Sequence, residues 1–287
     1  MSILSACPGG SMLNSAVSLG RAGVEVSLLT EFADDDVGKM ILRFLDKNRV
    51  STEYVSIHQG RKSPLALAFL NSENDARYSF YEDLPEKRNL KKIRDPGTED
   101  IVMFGSILAL SKGVRSELRE LLDAAKKAGA AILYDPNFRP SSVRSPEETE
   151  QLVCENIGFA DIVRASDEDM MNIKGTLNAD DAYEYVRDKG CMSLIYTTGE
   201  EGIYLRTSAL SKYYRTPDIL TVSTVGAGDN FNAGIIYQFL RESLSPGKAE
   251  NIPEPVWDQI IGRGIDFASE TCKRNENYIS EVFAGKI

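Results

Sequence analysis

Hydrophobic positions along the chain switch between two periods, and the switching predicts helices that alternate with strands. Residues 13–22 carry apolar side chains at helical spacing and stop at Gly23; residues 24–29 read as a strand. Residues 37–48 put Met40, Ile41, Phe44 and Leu45 on one stripe of a second helix. Apolar runs at 100–105, 131–134, 162–164 and 193–197 read as buried strands. Helical patterns at 116–128, 148–159 and 179–189 fall between them, the first and last closed by Gly129 and Gly190. Two further helices, 231–240 and 257–274, end the pattern. Such alternation predicts an α/β fold around a mostly parallel central sheet.

One region breaks this rhythm. Residues 65–70 and 76–81 are β-rich runs separated by the polar stretch Asn71-Ser72-Glu73-Asn74-Asp75, which is a hairpin signal. The charged segment that follows, with Pro85 and Pro96, reads as a connection back. The chain therefore divides into a main α/β domain, residues 1–58 and 98–287, and a small β unit with its connection, residues 59–97. A hairpin inserted in this way covers a site or mediates association. No tandem repeat or low-complexity tail is present.

Composition narrows the function classes. The 287 residues, 42 % hydrophobic and 26 % charged, suffice for a core without metals or disulfides. A net charge of −10 argues against nucleic acid as a partner. No apolar run approaches the roughly 18 residues that span a membrane. Cys7, Cys154, Cys191 and Cys272 form no Cys-x-x-Cys pair, and His58 is the only histidine, so a zinc site is not expected. His58 falls in the polar turn Ser56-Ile57-His58-Gln59-Gly60 and reads as a surface-loop residue. Scattered cysteines without a signal peptide suit a reducing, cytoplasmic setting.

The chemistry concentrates in Ser223-Thr224-Val225-Gly226-Ala227-Gly228-Asp229-Asn230-Phe231. The extended run Ile219-Leu220-Thr221-Val222 precedes it and an apolar-periodic helix follows. Two glycines therefore sit where a strand turns into a helix N-terminus. Glycine lets the backbone approach a ligand, and the first helical N–H groups lack internal partners. Together with the helix dipole they make a pocket for an anion such as phosphate. Asp229 is then either a helix cap or a base that takes a proton from an attacking hydroxyl, and position alone leaves both open. The P-loop pattern is absent. The dinucleotide fingerprint would need a third glycine where Phe231 stands, which removes an NAD-dependent dehydrogenase.

Five motifs, in order, carry a family resemblance. Thr224-Val225-Gly226-Ala227-Gly228-Asp229 resembles the Asp-Thr-x-Gly-Ala-Gly-Asp signature of the ribokinase-like (PfkB) carbohydrate kinases. Pro8-Gly9-Gly10-Ser11-Met12-Leu13-Asn14-Ser15-Ala16 is similar to the family's Gly-Gly-x-x-x-Asn-x-Ala. Asp34-Asp35-Asp36-Val37-Gly38 resembles Asp-Asp-x-Phe-Gly. Asp135-Pro136-Asn137-Phe138-Arg139 resembles the Asp-Pro-Asn-x-Arg of fructokinases and ketodeoxygluconate kinases. Thr197-Thr198-Gly199-Glu200-Glu201-Gly202 resembles the nucleotide-side Thr-x-Gly-x-x-Gly.

The resemblance implies a three-layer ribokinase-like fold with a small β lid, and transfer of the γ-phosphoryl of ATP to a sugar hydroxyl. Asp229 would be the base, and the N–H groups of Gly226, Ala227 and Gly228 would hold charge on the transferred group. Asn14 would bind sugar hydroxyls beside the Gly9-Gly10 backbone, or cap the first helix. Arg139 would face substrate or phosphates, or form a surface ion pair; Asn137 shares its strand end. Thr197, Gly199 and Gly202 would lie by the nucleotide, or form a plain turn. Ala268, Cys272 and Asn275 would line the adenine, or pack in the core. Arg77 and Tyr78, with Tyr81, would read the sugar from the lid, and the lid would also join two subunits as a homodimer.

The sequence departs from the family pattern in three places. The family has a longer lead before Gly-Gly, an opening strand with a sugar-binding Asp. This chain starts at Met1, seven residues before Pro8, so that strand is expected to be truncated or absent, leaving an unpaired sheet edge. Ser223 replaces the Asp that helps ribokinases bind a monovalent cation, so potassium activation is not implied. The family's Asn-x-x-Glu, which organises magnesium, is Ser166-Asp167-Glu168-Asp169, making Asp169 the candidate metal residue. Fructose is the first-choice substrate, followed by ketodeoxygluconate and ribose; a non-catalytic sugar- or nucleotide-binding relative is the competing class.

Overall fold

The computed structural model describes residues 7–70, 76–85, 88, 90–140, 145–176, 178–244, 249 and 251–287; for 68–70, 76–78 and 80 it describes the backbone alone. The first unit runs α1 (Ser11–Arg21), β1 (Val26–Ser27), β2 (Thr30–Ala33), α2 (Asp36–Lys47), β3 (Val50–Ser51) and β4 (Val55–His58). The hairpin is β5 (Lys62–Leu70) and β6 (Ala76–Asp83). Next come β7 (Ile101–Gly105), α3 (Ser106–Ala109), α4 (Arg115–Ala128), β8 (Ala131–Asp135), α5 (Pro146–Phe159), β9 (Ile162–Ser166), α6 (Asp167–Lys174) and α7 (Ala179–Asp188). The chain continues through β10 (Ser193–Thr197), β11 (Ile203–Thr207), β12 (Ser211–Tyr214), α8 (Ala227–Arg241), α9 (Glu254–Cys272) and α10 (Glu281–Ala284).

The apolar runs at β7 to β10 are continuous because both faces of their sheet are covered. The order is β12-β11-β10-β9-β8-β7, with β7 to β10 parallel and β11 and β12 antiparallel. Alternate side chains serve different cores. Ile132 and Tyr134, with Val163, Leu194 and Tyr196, pack under α4, α5 and α7. Leu133, Ile162 and Ile195 pack with Phe231, Ile235, Phe239, Trp257 and Phe267 of α8 and α9. The result is three layers, with the strand C-termini of β8, β9 and β10 at one edge. Helices α8 and α9 come close because each carries a glycine at the crossing: a methyl on Gly234 would stand 2.5 Å from the Arg263 carbonyl, and one on Gly264 would stand 2.6 Å from the Phe231 ring.

Several expectations change. The strand at 24–29 shrinks to Val26–Ser27, paired in parallel with β3. The run at 219–222 joins no sheet: Leu220 is 88 % exposed, and the segment is held by the Val222 and Ser223 N–H groups donating to the Cys272 carbonyl. Its β-branched residues belong to an open loop rather than a strand. His58 ends β4, and its Nε2 lies 2.6 Å from Glu31 Oε2, so it is a half-buried partner of a buried carboxylate rather than a surface-loop residue. The short strands β2, β3, β4, β11 and β12 lack the long apolar runs that revealed the others. The hairpin pairs in antiparallel register, Leu65 opposite Tyr81 and Leu67 opposite Ser79. The expected loop Asn71 to Asp75 lies outside the described residues. β7 ends the sheet, and among the described residues no strand pairs with its outer side.

Asp35 fastens the hairpin to α2. It is the N-cap, accepting from Gly38 N–H at 2.9 Å, and it accepts from Ser63 Oγ at 2.6 Å and Ser63 N–H at 3.0 Å. The Ser63 hydroxyl, foremost, and these N–H groups lower its pKa from 3.8 to about 2. The ionised form is favoured by folding, so its contribution is complete above pH 3.8 and disappears as pH falls through about 2. Asp35→Ala is expected to cost about 1 kcal/mol at neutral pH, with most of the charge effect screened by water. Urea unfolding across pH checks this: the gap to wild type closes near pH 2.

Candidate active site

The first turn of α8 is a glycine elbow. Gly226 is its N-cap with φ 82°, a left-handed conformation that only glycine adopts at little cost. A methyl there would also stand 2.7 Å from the Asn277 carbonyl. The Ala227 N–H donates to the Thr224 carbonyl at 3.1 Å. The N–H groups of Gly228 and Asp229 find no protein acceptor among the described residues. Of the expected trio Gly226, Ala227 and Gly228, only the Ala227 N–H is used within the turn; the Gly226 N–H, like those of Gly228 and Asp229, has no protein acceptor among the described residues. Residues 226–228 are half-exposed, so the elbow opens to solvent.

Asp229 is 8 % exposed and caps nothing. Its Oδ1 accepts from Ser11 Oγ at 2.8 Å and from Asn137 Nδ2 at 3.5 Å, and its Oδ2 accepts from Asn14 Nδ2 at 2.8 Å. Ser15 Oγ donates to the Asp229 main-chain carbonyl at 2.7 Å. Asn14 is not an N-cap, a position held by Gly10, and its buried Oδ1 has no hydrogen-bond partner. Gly10 has φ 126° and open space above it, with Gly9 beside Asn277. Ser11 was missed by sequence reasoning, since the family motif leaves its position open.

The loop after β8 brings the third element. Asn137 adopts φ 37°, and its N–H donates to Asp135 Oδ1 at 3.0 Å, which turns its amide toward Asp229. Asp135 is fully buried and also accepts from Arg164 Nη1 at 3.4 Å and from Asn232 Nδ2. Burial pushes its pKa up, opposed by the Arg164 guanidinium. Arg139 is exposed, its Nη1 3.3 Å from the Phe138 carbonyl.

Asp169 takes part in a capping box on α6: Ser166 Oγ accepts from Asp169 N–H, while Asp169 Oδ2 accepts from Ser166 N–H and Oγ. Its Oδ1 accepts from Phe138 N–H at 2.6 Å. The carboxylate expected at magnesium is occupied by three protein donors and shapes the 135–139 loop. Among the described residues no cluster of acidic, histidine or cysteine side chains could hold a metal. The donor set does not fit a protein-held metal centre.

On the other side of the elbow, Thr197 ends β10 and accepts from Arg164 Nη2 at 2.8 Å. Gly199 (φ 58°) and Gly202 (φ 123°) shape the turn to β11, with Gly202 packed on Tyr213. Cys272 is half-buried and carries the loop before the elbow on its carbonyl. Ala268 packs against the core and Asn275 is exposed. The structure therefore gathers Ser11, Asn14 and Asn137 around the Asp229 carboxylate, with the Gly9-Gly10 turn just before α1, while Asp169 holds the loop that carries Asn137. The Arg77 and Tyr78 side chains lie outside the described residues.

The class of protein is a sugar phosphotransferase, as the family match shows. The sequence profile of the pfkB family carbohydrate kinases matches residues 4–250, and the chain belongs to that family. Among curated proteins, probable fructokinase-2 of Arabidopsis thaliana is 29 % identical over 241 residues, 81 % of this chain and 72 % of its own length. Fructokinase from Vibrio cholerae O395, solved with fructose, ADP and calcium ion, superposes with a TM-score of 0.83 at 19 % identity, covering 94 % of this chain and 87 % of the other. Aminoimidazole riboside kinase from Salmonella enterica, solved with aminoimidazole riboside and an ATP analog, gives 0.80 at 21 % identity, covering 97 % and 88 %. The fold is the ribokinase-like one, with its small β sheet.

Gly226 admits a simple check. Gly226→Ala is expected to lose about 1–3 kcal/mol through its positive φ and the Asn277 carbonyl. Urea denaturation measures it, and an unchanged midpoint would mean that the elbow is not built as described.

Proposed function

We propose that this chain is an ATP-dependent fructokinase. The observation that carries the reading is the buried Asp229 carboxylate, held by Ser11 and Asn14 beside N–H groups that lack protein acceptors. The Ser11 hydroxyl donates to Asp229 Oδ1 at 2.8 Å, the kind of bond an acceptor hydroxyl would make. A sugar hydroxyl takes that place, and Asp229 accepts its proton as the new O–P bond forms and the ADP oxygen leaves. The Gly228 and Asp229 N–H groups, at the positive end of α8, hold the charge on the migrating phosphoryl. The free Oδ1 of Asn14 receives a further sugar hydroxyl. Magnesium, where present, shields the nucleotide's own phosphates. Fructose is the proposed acceptor because the curated and solved relatives named above include fructokinases, one of them holding fructose and ADP. The aminoimidazole riboside relative keeps other furanose-like acceptors in the test panel.

The test is an ADP-release assay over fructose, ketodeoxygluconate, ribose and nucleosides. Fructose is expected to give the highest kcat/KM, and Asp229→Asn to lower turnover by a factor of about 10² or more with nucleotide affinity retained. Equal activity in that variant removes Asp229 as base. Nucleotide binding with no turnover of any sugar identifies a non-catalytic relative instead.

The hairpin of residues 59–97 is the proposed lid, closing over the sugar to exclude water. Leu65, Leu67 and Tyr81 lie on one face of it, 47 %, 44 % and 57 % exposed. That apolar face supports a homodimer built through the lid. Light scattering is expected to give twice the chain mass for wild type and the single mass for Leu67→Asp; a monomeric wild type refutes it.

A further inference from the structure

Arg164 lies in an unusual place for a cation. It projects from β9 with its side chain 10 % exposed, and its guanidinium packs beneath the first turn of α8. Residue 228 is glycine, and a methyl there would stand 2.8 Å from both terminal nitrogens. The positive end of a helix repels a cation, which is why cations collect at helix C-termini. Here the buried guanidinium lies directly against Gly228 in that first turn, and the helix N–H groups at that point have no protein acceptor.

Its neighbours do not account for it. Nη2 donates to Thr197 Oγ1 at 2.8 Å, Nη1 reaches Asp135 Oδ2 only at 3.4 Å, and the buried Nε has no partner. A guanidinium serving Asp135 alone would offer the two-pronged geometry that such pairs favour. Asp135 on β8, Asp169 on α6 and Asp229 on α8 place carboxylates within electrostatic reach of one another, and Phe231 of α8 covers the guanidinium face at 6.0 Å. The cation thus joins the elbow's own positive field to these acids in one buried layer.

We infer that Arg164 is a positioning residue for phosphoryl transfer, its charge adding to the elbow's attraction for the terminal phosphate through the gap that Gly228 leaves. The inference rests on the proposed kinase reading. It predicts a preference for a triphosphate over a diphosphate, which can be measured without catalysis.

Calorimetry would compare a non-hydrolysable ATP analogue with ADP on wild type, Arg164→Met and Arg164→Lys. Wild type is expected to prefer the analogue. Arg164→Met is expected to reduce that preference by about tenfold while leaving ADP affinity nearly unchanged. Arg164→Lys is expected to restore most of it. In turnover, Arg164→Met is expected to lower kcat with little change in KM for sugar. A merely structural residue would instead weaken both nucleotides alike and lower the melting temperature. That result, an unchanged preference in Arg164→Met, or no preference in wild type overturns the inference. If Arg164→Met does not fold, Arg164→Lys decides: losing the preference despite its charge overturns the inference, and keeping it supports it. Absence of sugar turnover in wild type refutes the kinase reading separately, because the binding comparison does not depend on it.

Discussion

The contact between α1 and the first turn of α8 is the constraint on which the site depends. It joins positions more than two hundred residues apart through small polar side chains. Ser11 and Asn14 hold the Asp229 carboxylate, Ser15 holds its carbonyl, and Ser18 holds Asn230 while accepting the Ile279 N–H. These four residues lie at i, i+3, i+4 and i+7, so one face of α1 is a polar stripe. A stripe of that kind usually faces water. Here it is buried apart from Ser11, and its cost is offset because nearly every group has a partner. One exception is informative: the buried Asn14 Oδ1, on the residue whose Nδ2 holds Asp229, has no partner of its own.

The charge arrangement follows from the same architecture. Parallel strands end together, so Asp135 at the end of β8 and the residues just past β9 come to one edge. That edge carries carboxylates which, left to themselves, would repel. Arg164, Asn232 and backbone N–H groups settle them into separate tasks: Asp135 shapes the Asn137 turn, Asp169 caps the start of α6, and Asp229 takes its partners from α1. A buried ion pair is weak evidence for stability. In this edge it sorts otherwise equivalent acids by which of their oxygens remain available.

Much of the fold was legible because buried parallel strands must be continuously apolar. The runs at 131–134 and 193–197 admitted few other readings, and Gly129 marked a helix end. The site was legible where chemistry constrains residue type at fixed spacing, as in Gly226-Ala227-Gly228-Asp229. What escaped did so for physical reasons. β2 and β4 are short and include Glu31 and His58, whose pairing is made only in three dimensions. Arg164 looked like one polar residue in a strand, since nothing local says that a glycine on α8 makes room for it. Asp169 looked like a metal residue, but a Ser three positions before an Asp is equally a capping box, and here the box is formed.

The hairpin is fastened to the main domain at both of its ends. On the outgoing side, Ser63 is tied to Asp35 and to the Ala33 N–H. On the return side, Arg88 pairs with the buried Glu31, which also pairs with His58, and Arg88 reaches Ser111 at 3.1 Å. Both anchors converge on β2 and the residues just after it, one through hydrogen bonds at the start of α2 and the other through a buried ion pair. Displacing either anchor would leave Glu31 or the α2 N-terminus with buried groups unpaired, a cost that a surface loop does not face. The hairpin proposed as a lid is therefore tied at Ser63 and at Arg88. Asp229 and its α1 partners are held by bonds of their own, independent of both ties.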